Sequence, residues 1–119
     1  MVLLIEDNET TREITAAVLR HAGYRVCTAA NGQEALVSLR GARPDVILSD
    51  LDMPVLDGWA LRKVLLASPV WRTIPFVVAS AVVDAGDEAE LDAAMVLRKP
   101  VAADELLACV GRFDTTSTR

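Results

Sequence analysis

Five residues stand where this chain could do chemistry. Glu6 and Asp7 follow one apolar run, Asp50 follows a second, and Ser80 and Lys99 follow two more. Carboxylates that converge repel one another and lose hydration. A hard divalent cation relieves that cost. Mg²⁺ typically binds through one or two carboxylates while keeping water and accepting phosphate oxygens. An aspartate can also accept a phosphoryl group covalently. Phosphoryl transfer asks mainly for positioning and charge neutralisation, which a cation, an ammonium and a hydroxyl supply. On this reading Asp50 is the nucleophile, Lys99 the phosphate counter-ion and Ser80 a hydrogen-bond donor, with Glu6, Asp7 and Asp50 around the metal.

Taken singly, each residue has a plainer explanation. Glu6-Asp7 suits a solvated loop or a helix cap, and Asp50 suits a turn. Ser80 reads as a satisfied polar residue and Lys99 as a surface charge. Their weight comes from recurring at successive strand ends, which requires reading the elements that would carry them.

Short apolar runs alternate with helical patterns along the chain. Val2-Leu3-Leu4-Ile5 is apolar throughout, as a strand buried on both faces should be. Thr10-Thr11-Arg12-Glu13 offers a capping box, Ile14, Val18 and Ala22 follow at helical spacing, and Gly23 is placed to end the helix. Residues 24–28 are mixed and suit an edge strand. Asn31-Gly32-Gln33-Glu34 opens a second helix that closes around Gly41, and Val46-Ile47-Leu48 is a second buried strand. A third helix follows Gly58 over 59–67, and 74–79 is strand-like with Pro75 near its start. Residues 84–94 hold a short helix, 95–97 a fifth strand, and 104–110 a last helix with Leu106, Leu107 and Val110 on one face. Five strands alternating with five helices predict an open, doubly wound α/β domain with a parallel sheet covered on both sides. Ligands in that architecture sit beyond the carboxyl ends of the strands, where the five residues fall.

Composition excludes several classes. The chain has 119 residues, which suits one domain; 52% are apolar and 24% charged, so a packed core is expected rather than disorder. Aromatics are only 4%, so aliphatics and alanine must fill that core. A formal net charge of −5 disfavours direct nucleic-acid binding, and Arg62-Lys63 and Arg98-Lys99 are isolated basic pairs. Cys27 and Cys109 form no metal or redox spacing, so free thiols in a reducing compartment are expected. Nothing near Met1 reads as a secretory signal and no stretch is long enough to cross a bilayer, which suggests a cytoplasmic protein. Residues 114–119 read as a frayed polar tail after a domain spanning 1–113.

Glu6-Asp7-Asn8, the run from Asp50-Leu51-Asp52-Met53-Pro54 to Asp57-Gly58, Ser80-Ala81 and Lys99-Pro100 together resemble the receiver domain of two-component response regulators. The resemblance covers nearly the whole chain in the right order. It implies a flavodoxin-like (βα)5 three-layer sandwich with sheet order 2-1-3-4-5. It also implies Mg²⁺, or Mn²⁺ in its place, held by Glu6, Asp7, Asp50 and the backbone carbonyl of Asp52. Asp50 is then the phosphoacceptor, Lys99 touches the phosphoryl group, Ser80 moves toward it, and Pro100 is a candidate for a cis bond. The implied partners are a sensor histidine kinase or histidine phosphotransfer protein and a downstream effector or fused output domain. The protein would be a monomer, or a dimer once phosphorylated, and a signalling domain rather than an enzyme.

Two features depart from the pattern. Val96 stands where the family usually carries an aromatic residue. The stretch between Ser80 and Lys99 is short and reads Leu91-Asp92-Ala93-Ala94 where a glycine-containing turn is usual. Any response should therefore concentrate in the loop over 81–88 and spare the fifth strand. A receiver that binds a partner without cycling phosphate is one alternative. Asp50-Leu51-Asp52 also resembles the nucleophile motif of haloacid-dehalogenase-type phosphatases. Pro54 stands where that family needs Thr or Val, and its metal-binding acids follow the nucleophile, whereas here they precede it.

Overall fold

A computed structural model describes residues 1–51, 53, 55–81 and 89–114. Five strands, β1 (Val2–Ile5), β2 (Val26–Ala29), β3 (Val46–Ser49), β4 (Phe76–Ser80) and β5 (Met95–Arg98), pair in parallel in the order β2-β1-β3-β4-β5. The helices α1 (Glu9–His21), α2 (Gly32–Gly41), α3 (Gly58–Ala67) and α4 (Ala103–Phe113) connect or follow them. Of the short helix expected over 84–94, residues 84–88 lie outside the described residues, 89–91 are helical and 92–94 are not.

Alternation along each strand divides the core into two layers. Leu3, Ile5, Ile47, Phe76 and Val78 face Leu39, Leu61 and Leu65 on α2 and α3. Val2, Leu4, Leu48, Val77 and Leu97 face Leu19, Leu106 and Val110 on α1 and α4. Burial on both faces explains why the central strands read as unbroken apolar runs. Cys27 and Cys109 belong to opposite layers, and both thiols are free.

Helix starts follow from side-chain caps. Asn31 Oδ1 accepts from the Glu34 amide at 2.9 Å, while Glu34 Oε1 accepts from the Ala30 amide at 2.9 Å. The first helix begins earlier than the Thr10 capping box predicts. Asn8 is its cap and accepts from the Thr11 amide at 2.9 Å. Pairing along β1 continues to Glu6, whose amide donates to Ala29, so the chain turns at once and the stronger capping residue is reached first. Gly23, with φ of 101°, follows the helix end as expected.

The far end of the chain differs from the sequence expectation. Asp114, read as the start of a frayed tail, is 2% exposed and accepts a hydrogen bond from the Met1 amino group at 2.6 Å. Its polar side chain hides this role in the sequence, because the partner lies at the other terminus. The remaining tail residues, 115–119, lie outside the described residues.

The start of α3 is fitted against the end of β3. The Gly58 amide donates to the Leu51 carbonyl at 2.9 Å, and a Cβ at Gly58 would lie 2.5 Å from the Asp50 carbonyl oxygen and 2.8 Å from Leu51 Cα. Both obstacles are backbone, so neither can swing aside. Gly58→Ala should therefore lower stability by about 1–3 kcal/mol, as other overpacked sites do, and displace Asp50. Denaturant unfolding checks this; an unchanged midpoint would mean that the helix start yields freely.

Candidate functional site

Glu6, Asp50 and Lys99 each sit one step past a strand, held by a continuation of the sheet's hydrogen bonding, while Asp7 follows Glu6 and Ser80 is the last residue of β4 rather than the first after it. The Glu6 amide donates to Ala29 at 3.0 Å, the Asp50 amide to Ile5 at 3.1 Å, and the Lys99 amide to Ser80 at 3.0 Å. The backbone of each is thus fixed before any side chain acts. Glu6, Asp7 and Asp50 each offer a carboxylate oxygen within 4.8 Å of the others. Lys99 Nζ donates to Glu6 Oε1 at 2.8 Å and lies 3.3 Å from Asp50 Oδ2. Ser80, 5% exposed, ends β4 and meets Lys99 through its carbonyl. Asp52 lies outside the described residues. The Lys99–Pro100 bond is cis.

Further groups orient the acids. Asp50 Oδ1 accepts from the Leu51 amide at 2.7 Å, and Glu6 Oε2 accepts from the Asn8 amide at 3.2 Å. The buried Ser49 hydroxyl donates to the Asp50 carbonyl at 2.7 Å. Arg12 Nη1 donates to the Glu6 carbonyl at 2.9 Å. Sequence reasoning missed Arg12 and Ser49. The signal for Arg12 was faint: a cation near a helix start opposes the helix dipole and so calls for a local compensation. Ser49 had no signal beyond standing next to Asp50.

Asp50 opens toward solvent through a cleft between α1 and α4. The cleft has a volume of about 520 Å³ and is bordered by Glu6, Asp50 and Lys99 at one end and Thr11, Ile14 and Leu106 along its sides. Among the described residues, this cleft leaves the Asp50 carboxylate accessible to a small group from solvent. Ile14, 60% exposed, is an apolar contact point at this opening. Beyond Asp50, Val55 adopts φ of 69°, which a β-branched residue rarely tolerates, so the backbone is strained at that residue.

Electrostatics reflect the crowding. Burial raises the Glu6 carboxyl above its ordinary value; hydrogen bonds from Lys99 and Asn8 pull it back, and Asp50 pushes it up. Burial alone would lower the Lys99 ammonium, but its hydrogen bond to Glu6 and the charge of Asp50 outweigh that and raise it. The three carboxylates fit a hard divalent cation in donor type, spacing and charge, since a single ammonium leaves them under-neutralised.

A family model for the response regulator receiver domain matches residues 2–111. The chain belongs to that family. The fold superposes on the Vibrio cholerae chemotaxis protein CheY4 with a TM-score of 0.87 and 32% identity, covering 95% of this chain and 97% of that one. The receiver domain of a Pseudomonas aeruginosa sensor histidine kinase, described with a magnesium ion coordinated in its active site cleft, gives a TM-score of 0.84 at 33% identity. That match covers 94% of each chain. The polar-differentiation response regulator DivK of Brucella anthropi is 34% identical over 87 residues, covering 73% of this chain and 71% of DivK. Other curated relatives are far longer: the matched segment spans 14% of an Arabidopsis response regulator-like protein and 11% of a Myxococcus gliding motility regulator. This receiver therefore has the flavodoxin-like topology and sheet order that its motifs implied. No helix among its described residues is long and apolar enough to cross a membrane.

The Glu6 shift fixes a sign for pH dependence. A raised folded pKa means the fold holds this proton more tightly than the unfolded chain does. That contribution is complete below the ordinary value of 4.5 and is lost as pH rises through the raised one. In Mg²⁺-free buffer, Glu6→Gln should remove this loss, so wild type and variant should diverge as pH rises from acid toward neutral. Unfolding free energies measured across that range check it; parallel curves would mean that Glu6 titrates alike in both states.

Proposed function

We propose that this receiver takes a phosphoryl group onto Asp50 from a sensor histidine kinase or histidine phosphotransfer protein. The observation that carries the reading is the Lys99 ammonium set between Glu6 and Asp50 at the mouth of an open cleft. A carboxylate oxygen of Asp50 attacks phosphorus, the bond to the donor imidazole nitrogen breaks, and the imidazole leaves with the electron pair and takes up a proton. Glu6, Asp7, Asp50 and the Asp52 carbonyl are the residues that would hold Mg²⁺ or Mn²⁺. Once bound, that cation supplies neutralising charge to the phosphoryl oxygens. Lys99 then turns from Glu6 to the new oxyanions, and the Ser80 hydroxyl donates a hydrogen bond to them.

The protein promotes only its own phosphorylation and dephosphorylation, so it is a signalling domain and turns over no separate substrate. The donor docks over the first turns of α1, where Ile14 offers an exposed apolar contact beside the cleft. We place the receiver at residues 1–114, in the cytoplasm and monomeric before phosphorylation. It acts on a downstream effector or a fused output domain.

Three expectations test this. Incubation with a small-molecule phosphodonor and Mg²⁺ should add one phosphoryl mass to the wild type and none to Asp50→Asn; equal labelling of both would remove Asp50 as acceptor. Asp7→Ala should weaken Mg²⁺ binding by tenfold or more, roughly the loss of one carboxylate ligand. Lys99→Ala should keep Mg²⁺ binding and lose the spectral response to beryllofluoride, a phosphoryl mimic. Titrations that return the reverse assignment would exchange the roles of these two residues.

A further inference from the structure

Arg62 is placed unlike any other basic residue described. It lies on α3, is 3% exposed, and points into the layer beneath the entry to β5. Its Nε donates to the Leu91 carbonyl at 2.7 Å and its Nη2 to the Asp92 carbonyl at 3.0 Å, with the Asp92 carboxylate 3.8 Å away. The guanidinium carbon stands 4.8 Å from the centre of the Phe76 ring on β4, and Nη1 is buried without a hydrogen-bond partner. A buried guanidinium is tolerated only where charge and donors are largely used, so this arrangement is specific rather than incidental.

The two carbonyls it holds close the helical turn at 89–91, where the Asp92 amide donates to Ala89 at 3.2 Å. Such terminal carbonyls lack partners within the helix. Asp92 itself has φ of 50°, the left-handed conformation that glycine usually supplies at a helix end. No glycine is available, because the stretch reads Leu91-Asp92-Ala93-Ala94. Two residues on, the Ala94 amide donates to the Phe76 carbonyl at 2.9 Å, and Met95 begins pairing with Val77. Arg62 therefore grips both the end of the turn and the residue on β4 that receives it.

We propose that Arg62 is a latch that stands in for the missing helix-ending glycine and pins the entry of β5 to α3 and β4. Its consequence for signalling rests on the receiver reading: a change set off at Asp50 stops before β5. Val96 fits this role, since it is half-buried against the same layer and offers no large ring to move. Arg62 is a positioning residue, acting through the carbonyls of Leu91 and Asp92.

The test compares the full-length chain as wild type, Arg62→Met, Arg62→Lys, and Arg62→Met combined with Asp92→Gly. Amide exchange and chemical shifts are read with and without Mg²⁺ and beryllofluoride. In the metal-free protein, Arg62→Met should speed exchange at Ala94 by about tenfold to a hundredfold, as expected for losing charged hydrogen bonds. Arg62→Lys keeps the charge but loses the fork, and should fall between. Adding Asp92→Gly should recover most of the loss, because glycine adopts the left-handed turn freely. Beryllofluoride should shift Ala81 strongly and 93–96 weakly in the wild type, with the disturbance reaching 93–96 in Arg62→Met. A purely structural residue would not move that boundary. Unchanged exchange at Ala94 in Arg62→Met, or wild-type shifts through 93–96 as large as those at Ala81, overturns the latch. Should Arg62→Met not fold, Arg62→Lys carries both comparisons. No shift at Asp50 or Lys99 in the wild type would instead overturn the receiver reading, leaving the exchange rates to decide the latch.

Discussion

Three carboxylates held within 4.8 Å of one another are the constraint around which this domain is arranged. Like charges at that separation repel by roughly 3 kcal/mol at an effective dielectric of about 20, and by less where Asp7 reaches water. Left to themselves, the side chains would separate. The fold prevents separation by fixing backbone rather than side chains: sheet hydrogen bonding runs one residue beyond β1, β3 and β5 and so captures Glu6, Asp50 and Lys99. Lys99 is the internal compensation, and burial, with a smaller push from Asp50, keeps the Glu6 carboxyl raised despite it.

The same constraint explains why the central strands are so apolar. A parallel sheet must be covered on both faces, and covering it leaves the strand ends as the places where polar groups reach solvent. Leu4, Leu48 and Leu97 point into one layer and Ile5, Ile47 and Val78 into the other. A one-residue slip in any strand would exchange those sets and withdraw the following acid or lysine from the site. Packing therefore sets the register, and the register sets the distances between charges. Gly58 extends this logic to the helices, because only a residue without Cβ lets α3 start against the Asp50 backbone.

What was legible in the sequence was whatever depends on local pattern. The apolar runs, the caps at Asn31 and Gly23, and the polar residues after each strand all belong to that class. So did the clustering of Glu6, Asp7, Asp50 and Lys99, since a strand end locates a following residue without knowledge of distant partners. Arg62 was not legible. Paired with Lys63 on a helix, it reads as an exposed charge, and its burial depends on carbonyls 29 and 30 residues away in sequence. Asp114 was misread for a similar reason, its partner being 113 residues distant. The start of α1 was misplaced because Asn8 and Thr10 are both credible caps, and the choice falls to where β1 stops pairing. In each case a tertiary partner overrode a sound local rule.

Charge balance also indicates which contact must give way when the site works. Three carboxylates and one ammonium leave two negative charges uncompensated, the amount one divalent cation neutralises. In the proposed transfer, a phosphoryl group on Asp50 would replace a single negative charge with one closer to two, and add oxygens that accept strongly. Lys99 lies 2.8 Å from Glu6 and 3.3 Å from Asp50, so before transfer it favours Glu6. After transfer the larger charge is on the Asp50 side. The Glu6 contact is then the weaker one for Lys99, while Glu6 itself gains more from the cation than from an ammonium. The Lys99 side chain, 29% exposed, has the room to turn that Glu6, at 7%, does not. In the proposed transfer the Lys99–Glu6 bond is thus the contact that would break, and it would do so without moving the strands, because Lys99 is anchored through its own amide to Ser80 on β4.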